Sequence, residues 1–356
     1  MRLIGLIILV IFMGACTPPE KLDDNLCSKD YDQTALLTNY ADNIIIPGLA
    51  EYSNELDQFG LAWNAYKSNK DLTDLKASLK TLQLAFQKIQ CFDFGPLEKH
   101  MLVEKSNPFP VNKPALAASI ANANTNFILA SRFDIGLPAL EFLVFGLAET
   151  DLDSFHSTKV MAYATAIVND MSQRTRVCLE DWKTYRTEFI SNQGTNAGSS
   201  LSLMVNAINK NWEQSRRDRV GIPSGVLTLG IKQVALLEAP NAGYSKELLI
   251  ENIKCSEAFF TGTGASDGPG LDDVLQFLNV IKDDVSLKDG VVNNYQAILT
   301  KVNAINSDLK STIENNNQAM LDIYALMSKQ TIYLKSDMPS VMCIAITYLD
   351  NPSDSD

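Results

Sequence analysis

The stretch Leu72-Thr-Asp-Leu-Lys-Ala-Ser-Leu-Lys-Thr-Leu-Gln-Leu-Ala-Phe-Gln-Lys-Ile89 decides the fold. Its large apolar residues Leu72, Leu75, Leu79, Leu82, Phe86 and Ile89 recur at spacings of three and four. At the pitch of an α-helix that spacing gathers them into one stripe, to be buried against a partner. The same period extends outward. Between Val160 and Phe189 it aligns Ile167, Met171, Cys178, Trp182, Tyr185 and Phe189. A longer run passes through Tyr295, Ile298, Val302, Ile305, Leu309 and Ile313 and continues to Met320, Tyr324 and Met327, as one extended helical pattern. Helical signals also cover 30–66, 113–130, 200–217, 245–260 and 271–283, and no convincing polar/apolar alternation stands beside them. The chain reads as all-α.

Helices of this length bury their stripes most simply as up-and-down, four-helix-bundle-like domains. The segment Ser191-Asn-Gln-Gly-Thr-Asn-Ala-Gly-Ser-Ser200 holds no large apolar side chain and is the clearest break. It predicts two tandem helical bundles, 30–190 and 201–350, joined by a linker at 191–200. Pro47-Gly48 is expected to interrupt the first helical region, Phe94-Gly95-Pro96 to end the 72–90 helix, and 106–114 to form a Pro-rich loop. The glycines of Thr261-Gly-Thr-Gly-Ala-Ser-Asp-Gly-Pro-Gly270 lack both a preceding strand and a following Gly-Lys-Ser/Thr, so an interhelix loop is expected there and not a phosphate loop.

The start of the chain gives an address. Met1-Arg2 precedes an apolar run from Leu3 to Met13, too short to span a bilayer but suited to a secretory signal. Met13-Gly14-Ala15-Cys16 resembles a bacterial lipobox. The expectation is a signal peptide over 1–15, cleavage before Cys16, lipidation of Cys16 as the membrane anchor, a tether over 16–29 and a disordered tail over 351–356. That places the protein in the cell envelope as an outer-membrane lipoprotein, facing the periplasm or the surface. Loss of Arg2 with the signal changes the formal charge from −12 to −13. Cys27, Cys91, Cys178, Cys255 and Cys343 then remain besides the anchor; the spacing does not choose among their pairings, and buried thiols are expected for most.

Composition removes several function classes. The 356 residues carry 30 Lys+Arg against 42 Asp+Glu, which argues against a nucleic-acid partner, since phosphates need a basic face. Only two histidines occur, His100 and His156, so a histidine-rich metal site is impossible. No CxxC pair suggests a zinc module, and no Gly-x-Ser-x-Gly suggests a serine hydrolase.

One segment stands out chemically: Phe133-Asp-Ile-Gly-Leu-Pro-Ala-Leu-Glu-Phe-Leu-Val-Phe-Gly146. Glu141 is a lone carboxylate in an otherwise apolar helix that starts beside Pro138. If buried, it needs a cation, a proton or several donors; the plain alternative is a half-exposed residue on the helix edge. Gly136-Leu-Pro-Ala-Leu-Glu141 with Phe142-Leu-Val-Phe-Gly146 resembles the Gly-x-His-x-x-Glu signature of the imelysin-like family. Phe86 to Pro96, Arg219-Val-Gly-Ile-Pro223-Ser-Gly225, Val234 to Ser245 (with Glu238-Ala239 and Gly243-Tyr244-Ser245), and Phe260-Thr-Gly262 with Gly270 to Leu275 resemble further stretches of that family, in order.

The resemblance implies two helical bundles with a site in the groove between them, an exported or lipid-anchored protein associated with iron uptake, and, for one branch, metallopeptidase activity. The family's histidine falls on Pro138, which offers no donor atom, so the peptidase reading is disfavoured. A carboxylate site for iron or another hard divalent or trivalent cation remains, with Glu141, Asp134, Glu238, Asp272 and Asp273 as candidates. Four of them have a simpler reading: Asp272 and Asp273 as favourable charges in a first helical turn, Glu238 as a solvated helix end, and Glu141 as the ion-pair partner of Arg219. Gly136, Pro138, Arg219, Pro223 and Ser245 complete the motif positions. The function expected is binding of a metal or metal-containing ligand between the domains in iron or haem uptake, with an iron-uptake or envelope protein as partner. The alternatives are an imelysin-type metallopeptidase and a non-catalytic interaction module for a protein or peptide.

Overall fold

The computed structural model describes residues 26, 29–127 and 133–348. The expected signal peptide, Cys16, most of the tether, Cys27 and the tail lie outside these residues. Among the described residues none of the helices is long and apolar enough to cross a membrane.

The apolar stripes become the long helices of an all-α fold. The Leu72–Gln87 helix starts where the Asp71 carboxylate accepts the Thr73 N–H at 2.8 Å, satisfying one of the donors a helix start leaves open. The Thr158–Ser191 helix, 34 residues long, starts at an N-cap serine, Ser157. The stripe of the first buries Leu75, Leu79, Leu82 and Phe86 completely, and that of the second buries Ile167, Cys178, Trp182 and Phe189. Leu72–Gln87 packs against Ile46–Asn69 and also, across the 191–200 break, against the Ser245–Thr261 helix. One hydrophobic core therefore runs through both halves of the chain, from Trp63 and Phe86 to Phe259, Tyr295 and Met327. Leu26, within the expected tether, is buried, and its N–H donates to the Val341 carbonyl at 2.8 Å.

Several local readings are corrected. The stripe from Tyr295 to Met327 is not one helix but three: Leu287–Asn303, Leu309–Asn315 and Gln318–Ile332. Asp308 caps the second by accepting the Ser311 N–H. The 271–283 helix ends at Leu278, and Asp283 and Asp284, both with positive φ, turn a two-stranded hairpin of Ile281–Lys282 and Val285–Ser286. The 113–130 helix is Lys113–Ala121.

Pro47-Gly48 does not break the first helix. Thr34–Asn39, a π-helical turn Tyr40–Ile45 and Ile46–Asn69 follow one another directly. Proline lacks an N–H, and its ring crowds the carbonyl four residues back; a widened turn relieves that crowding. The same device recurs: the π turns Ser215–Gly221 and Tyr333–Asp337 precede Pro223 and Pro339 at the same two-residue distance.

The carbonyl four residues before Pro47, that of Asn43, instead accepts the Ala265 N–H at 3.3 Å. This brings in the glycine-rich 261–270 loop. Asn39 Nδ2 donates to the carbonyls of Gly262 (2.7 Å) and Pro269 (3.0 Å), and Asn43 Nδ2 donates to that of Ser266 (2.7 Å). A Cβ at Gly264 would overlap the Asn43 carbonyl oxygen, so the loop is glycine-rich because it lies against a helix backbone. Asn39→Ala removes two donors from this clasp and is expected to cost about 1–2 kcal/mol, read as a lower urea midpoint with an unchanged m-value.

Candidate functional site

The signature segment forms the Gly136–Glu141 helix, which passes directly into a π turn over Phe142–Leu147. Gly136 opens it at φ +70°, a conformation glycine adopts freely, and its Cα packs against the carbonyls of Lys105 and Ser106. Pro138 sits in the first turn, where an absent N–H costs nothing.

Glu141 is only 1% exposed. Its Oε1 accepts the backbone N–H groups of Asn241 (2.8 Å) and Ala242 (2.7 Å), and its Oε2 accepts Asn241 Nδ2 (2.9 Å). The carboxylate is thus a clasp on a loop from the other half of the chain. Beside it, Phe109, Pro138, Leu237 and Pro240 help enclose a cavity of about 30 Å³, room for little more than a water molecule. Burial pushes the Glu141 carboxyl above its ordinary pKa, against the pull of the Asn241 and Ala242 donors and Lys113.

Arg219 does not pair with Glu141. Its Nε donates to Glu238 Oε2 at 2.7 Å, with the two side chains 5% and 3% exposed. Glu238 Oε1 accepts Gln87 Nε2 (2.8 Å) and Asn107 Nδ2 (2.6 Å). Arg219 Nη2 donates to Gln87 Oε1 (3.1 Å) and Gln90 Oε1 (2.9 Å), and its guanidinium lies 5.1 Å from the Phe109 ring centroid. A buried ion pair holds only when its remaining donors and acceptors are met, and here the glutamines and the asparagine of the first half meet those of the second. Ser245 Oγ donates to the Glu238 carbonyl at 2.5 Å, anchoring the start of the Ser245–Thr261 helix. The Pro223 carbonyl accepts the Gln233 N–H in the turn that follows.

The other candidate carboxylates lie apart. Asp134 is buried and accepts Ser119 Oγ at 2.6 Å and the Tyr163 hydroxyl at 3.2 Å. Asp272 faces Lys288 Nζ at 3.1 Å, with its carboxyl pushed up by burial. Asp273 accepts the Gly270 N–H at 2.9 Å, at the start of its own helix. The two histidines also have partners: His100 Nε2 meets Asp181 Oδ2, and His156 Nε2 meets the Tyr66 hydroxyl, both at 2.6 Å. Among the described residues no three His, Cys, Asp or Glu side chains are grouped to hold a metal ion. Glu141 and Glu238 each accept three protein hydrogen bonds, so most of the lone-pair capacity of each carboxylate is already used.

The structure brings together a feature that no periodicity announced. Above the Arg219–Glu238 pair a cleft of about 360 Å³ opens between the halves. Phe109 and Phe133 line it, Phe133 being 46% exposed. Asp93, Glu98, Glu104 and Asp218 place acid around it; Lys210 pairs with Asp93 and Arg217 with Asp218, each at 2.8 Å, and Arg219 also lines the cleft. Asn107 also lines it; its Nδ2 holds Glu238 while its Oδ1 is buried without a partner.

Glu141→Gln replaces an acceptor with an amide that faces other donors, at an expected cost of about 1–3 kcal/mol. The folded carboxyl lies above its unfolded value, so as pH rises the unfolded chain releases this proton first. The wild type then loses stability across the window between the two values, and the variant does not. Urea unfolding of both proteins through that window should show the gap between them narrowing as pH rises; a widening gap would mean that the donors outweigh burial.

The sequence profile described as Imelysin matches residues 45–329. Two solved structures share the fold. An assigned iron-regulated protein A precursor from Parabacteroides distasonis has a TM-score of 0.72 at 12% identity, over 89% of this chain and 98% of its own. An imelysin-like protein from Psychrobacter arcticum has a TM-score of 0.70 at 18% identity, over 90% of this chain and 99% of its own. A comparison with curated proteins returns no match.

Proposed function

Because this chain belongs to the imelysin family, we propose that it is a lipid-anchored cell-envelope protein that takes a metal-bearing ligand into the cleft between its halves, in iron acquisition. The observation that carries this reading is the cleft itself: an acidic rim, two phenylalanine walls and the unpartnered Asn107 Oδ1, built from both halves over the Arg219–Glu238 pair. The Glu98 and Glu104 carboxylates at the rim are oxygen donors suited to ferric iron, and the aromatic walls suit an organic body around a metal more than a bare ion. The iron association is carried over from the Parabacteroides protein of similar fold, and the anchor from the lipobox ending at Cys16.

Peptidase chemistry is the weaker alternative. Pro138 supplies no ligand, and Glu141 is engaged by three N–H donors, so no hydrolytic step can be drawn through this motif. Titration with haem and with ferric citrate tests the proposal. Saturable binding is expected, weakened at least tenfold by Phe133→Ser and by the pair Glu98→Gln and Glu104→Gln, with little change for Glu141→Gln. No saturable binding of either probe, or binding indifferent to the cleft variants, would overturn it.

A further inference from the structure

A second feature crosses the halves away from this cleft. Cys91 lies in the 3₁₀ turn Gln90–Phe92 and Cys255 on the Ser245–Thr261 helix. Both are buried free thiols, and their sulfurs stand 3.0 Å apart although 164 residues separate them in sequence. A disulfide requires about 2.05 Å between sulfurs, so the two must approach by about 1 Å more to bond. Three other contacts touch the pair: Asn211 Nδ2 reaches Cys91 Sγ at 3.3 Å, Cys91 Sγ donates to Ser256 Oγ at 3.8 Å, and Cys255 Sγ donates to the Lys88 carbonyl at 3.2 Å.

Access is one-sided. Cys255, 7% exposed, lines an open cavity of about 350 Å³ whose edge carries Glu51, Lys88, Glu251 and Lys254. Cys91 is fully buried, and burial pushes its thiol far above the ordinary range. A reagent entering the cavity therefore meets Cys255 first. Cys343 is disulfide-bonded, which fits a compartment where disulfides form and persist.

We propose that Cys91 and Cys255 are a thiol–disulfide exchange site that staples the two halves of the protein behind the ligand cleft. The co-reactant is an external disulfide, R–S–S–R, small enough to enter the cavity. The Cys255 thiolate attacks one of its sulfurs, forming a mixed disulfide and releasing R–S⁻, which takes up the Cys255 proton. Cys91 gives up its proton and displaces the second R–S⁻, which takes that proton up. One Cys91–Cys255 bond and two R–SH result, so the protein is oxidised by two electrons and the co-reactant reduced by two. The bond would form one residue from Gln90, whose Oε1 accepts from Arg219 and from Asn252 (3.3 Å). It would therefore fix the floor of the cleft.

The test treats the whole chain with oxidised or with reduced glutathione, quenches with an alkylating reagent in denaturant, and maps the unreduced peptides by mass. After oxidation the expected result is a linked pair holding Cys91 and Cys255, about 2 Da lighter than the sum of its thiol peptides. Cys178, buried alone with its thiol pushed up to about 12, should be alkylated in both samples. Oxidation should also raise the unfolding temperature by several degrees, because the closed loop is long. Cys178→Ser should keep that rise, and Cys255→Ser should abolish it. Cys91 and Cys255 both alkylated after oxidation, or halted as mixed disulfides with glutathione, would overturn the proposal. This outcome is independent of iron binding, so the two proposals fail separately.

Discussion

Arg219→Ala is expected to unfold roughly 4–8 °C below the wild type. Truncation strands the Glu238 carboxylate, 3% exposed, without its cation, and breaking a buried pair from one side costs about 3–5 kcal/mol. In a chain of 356 residues, at about 2 cal/mol/K of unfolding entropy per residue, each kcal/mol shifts the midpoint by about 1.3–1.5 °C. Gln87 and Asn107 would still donate to Glu238, but neutral donors do not replace a guanidinium that also binds Gln90 and lies against Phe109. Replacing Arg219 and Glu238 together by methionine removes the stranded charge and should recover most of the loss. A single variant that melts within about 2 °C of the wild type would show that the pair does not hold the halves together.

Gly136→Ala is the second large effect. Its φ of +70° costs an alanine about 1–2 kcal/mol. The added Cβ would also lie 2.7 Å from the Lys105 carbonyl oxygen and closer still to that of Ser106, and Lys105 and Ser106 are themselves buried. Such overpacking adds about 1–3 kcal/mol, for a total of about 2–5 kcal/mol in urea unfolding. Gly230→Ala is the control, because its φ is +83° but nothing lies within 4 Å of its Cβ. It should show the conformational cost alone. Equal losses at the two positions would mean that the backbone at Ser106 yields, and that the motif glycine is not required by close packing.

The sequence made the helical stripes legible because core burial repeats along each one. Leu72 to Phe86 and Ile167 to Phe189 face the core as their spacing requires. The same rule misled between Tyr295 and Met327. Apolar spacing records which side of the chain is buried, not whether the backbone is continuous, and Ile305 stays buried although it lies between helices. The break was written in capping chemistry, at Asp308 and Ser311. Glu141 was legible as a lone acid in an apolar run, but its partners were not. They are chiefly backbone N–H groups 100 residues away, which leave no mark in composition. Arg219 was recognisable as a cation seeking a buried acid, yet nothing in the spacing chose Glu238 over Glu141. The cleft was invisible for a similar reason: Asp93, Glu98, Glu104 and Asp218 come from different elements, and only the packing of the halves brings them to one opening.

A crystal soaked in ferric citrate or haem and measured at the iron absorption edge tests ligand binding at that opening most directly. An iron peak is expected in the cleft, between Phe109, Phe133 and the acidic rim at Glu98 and Glu104, with the Asn241 and Ala242 N–H groups still on Glu141. A peak bonded to Glu141 with that clasp opened, or one at Asp272 and Asp273, would contradict it.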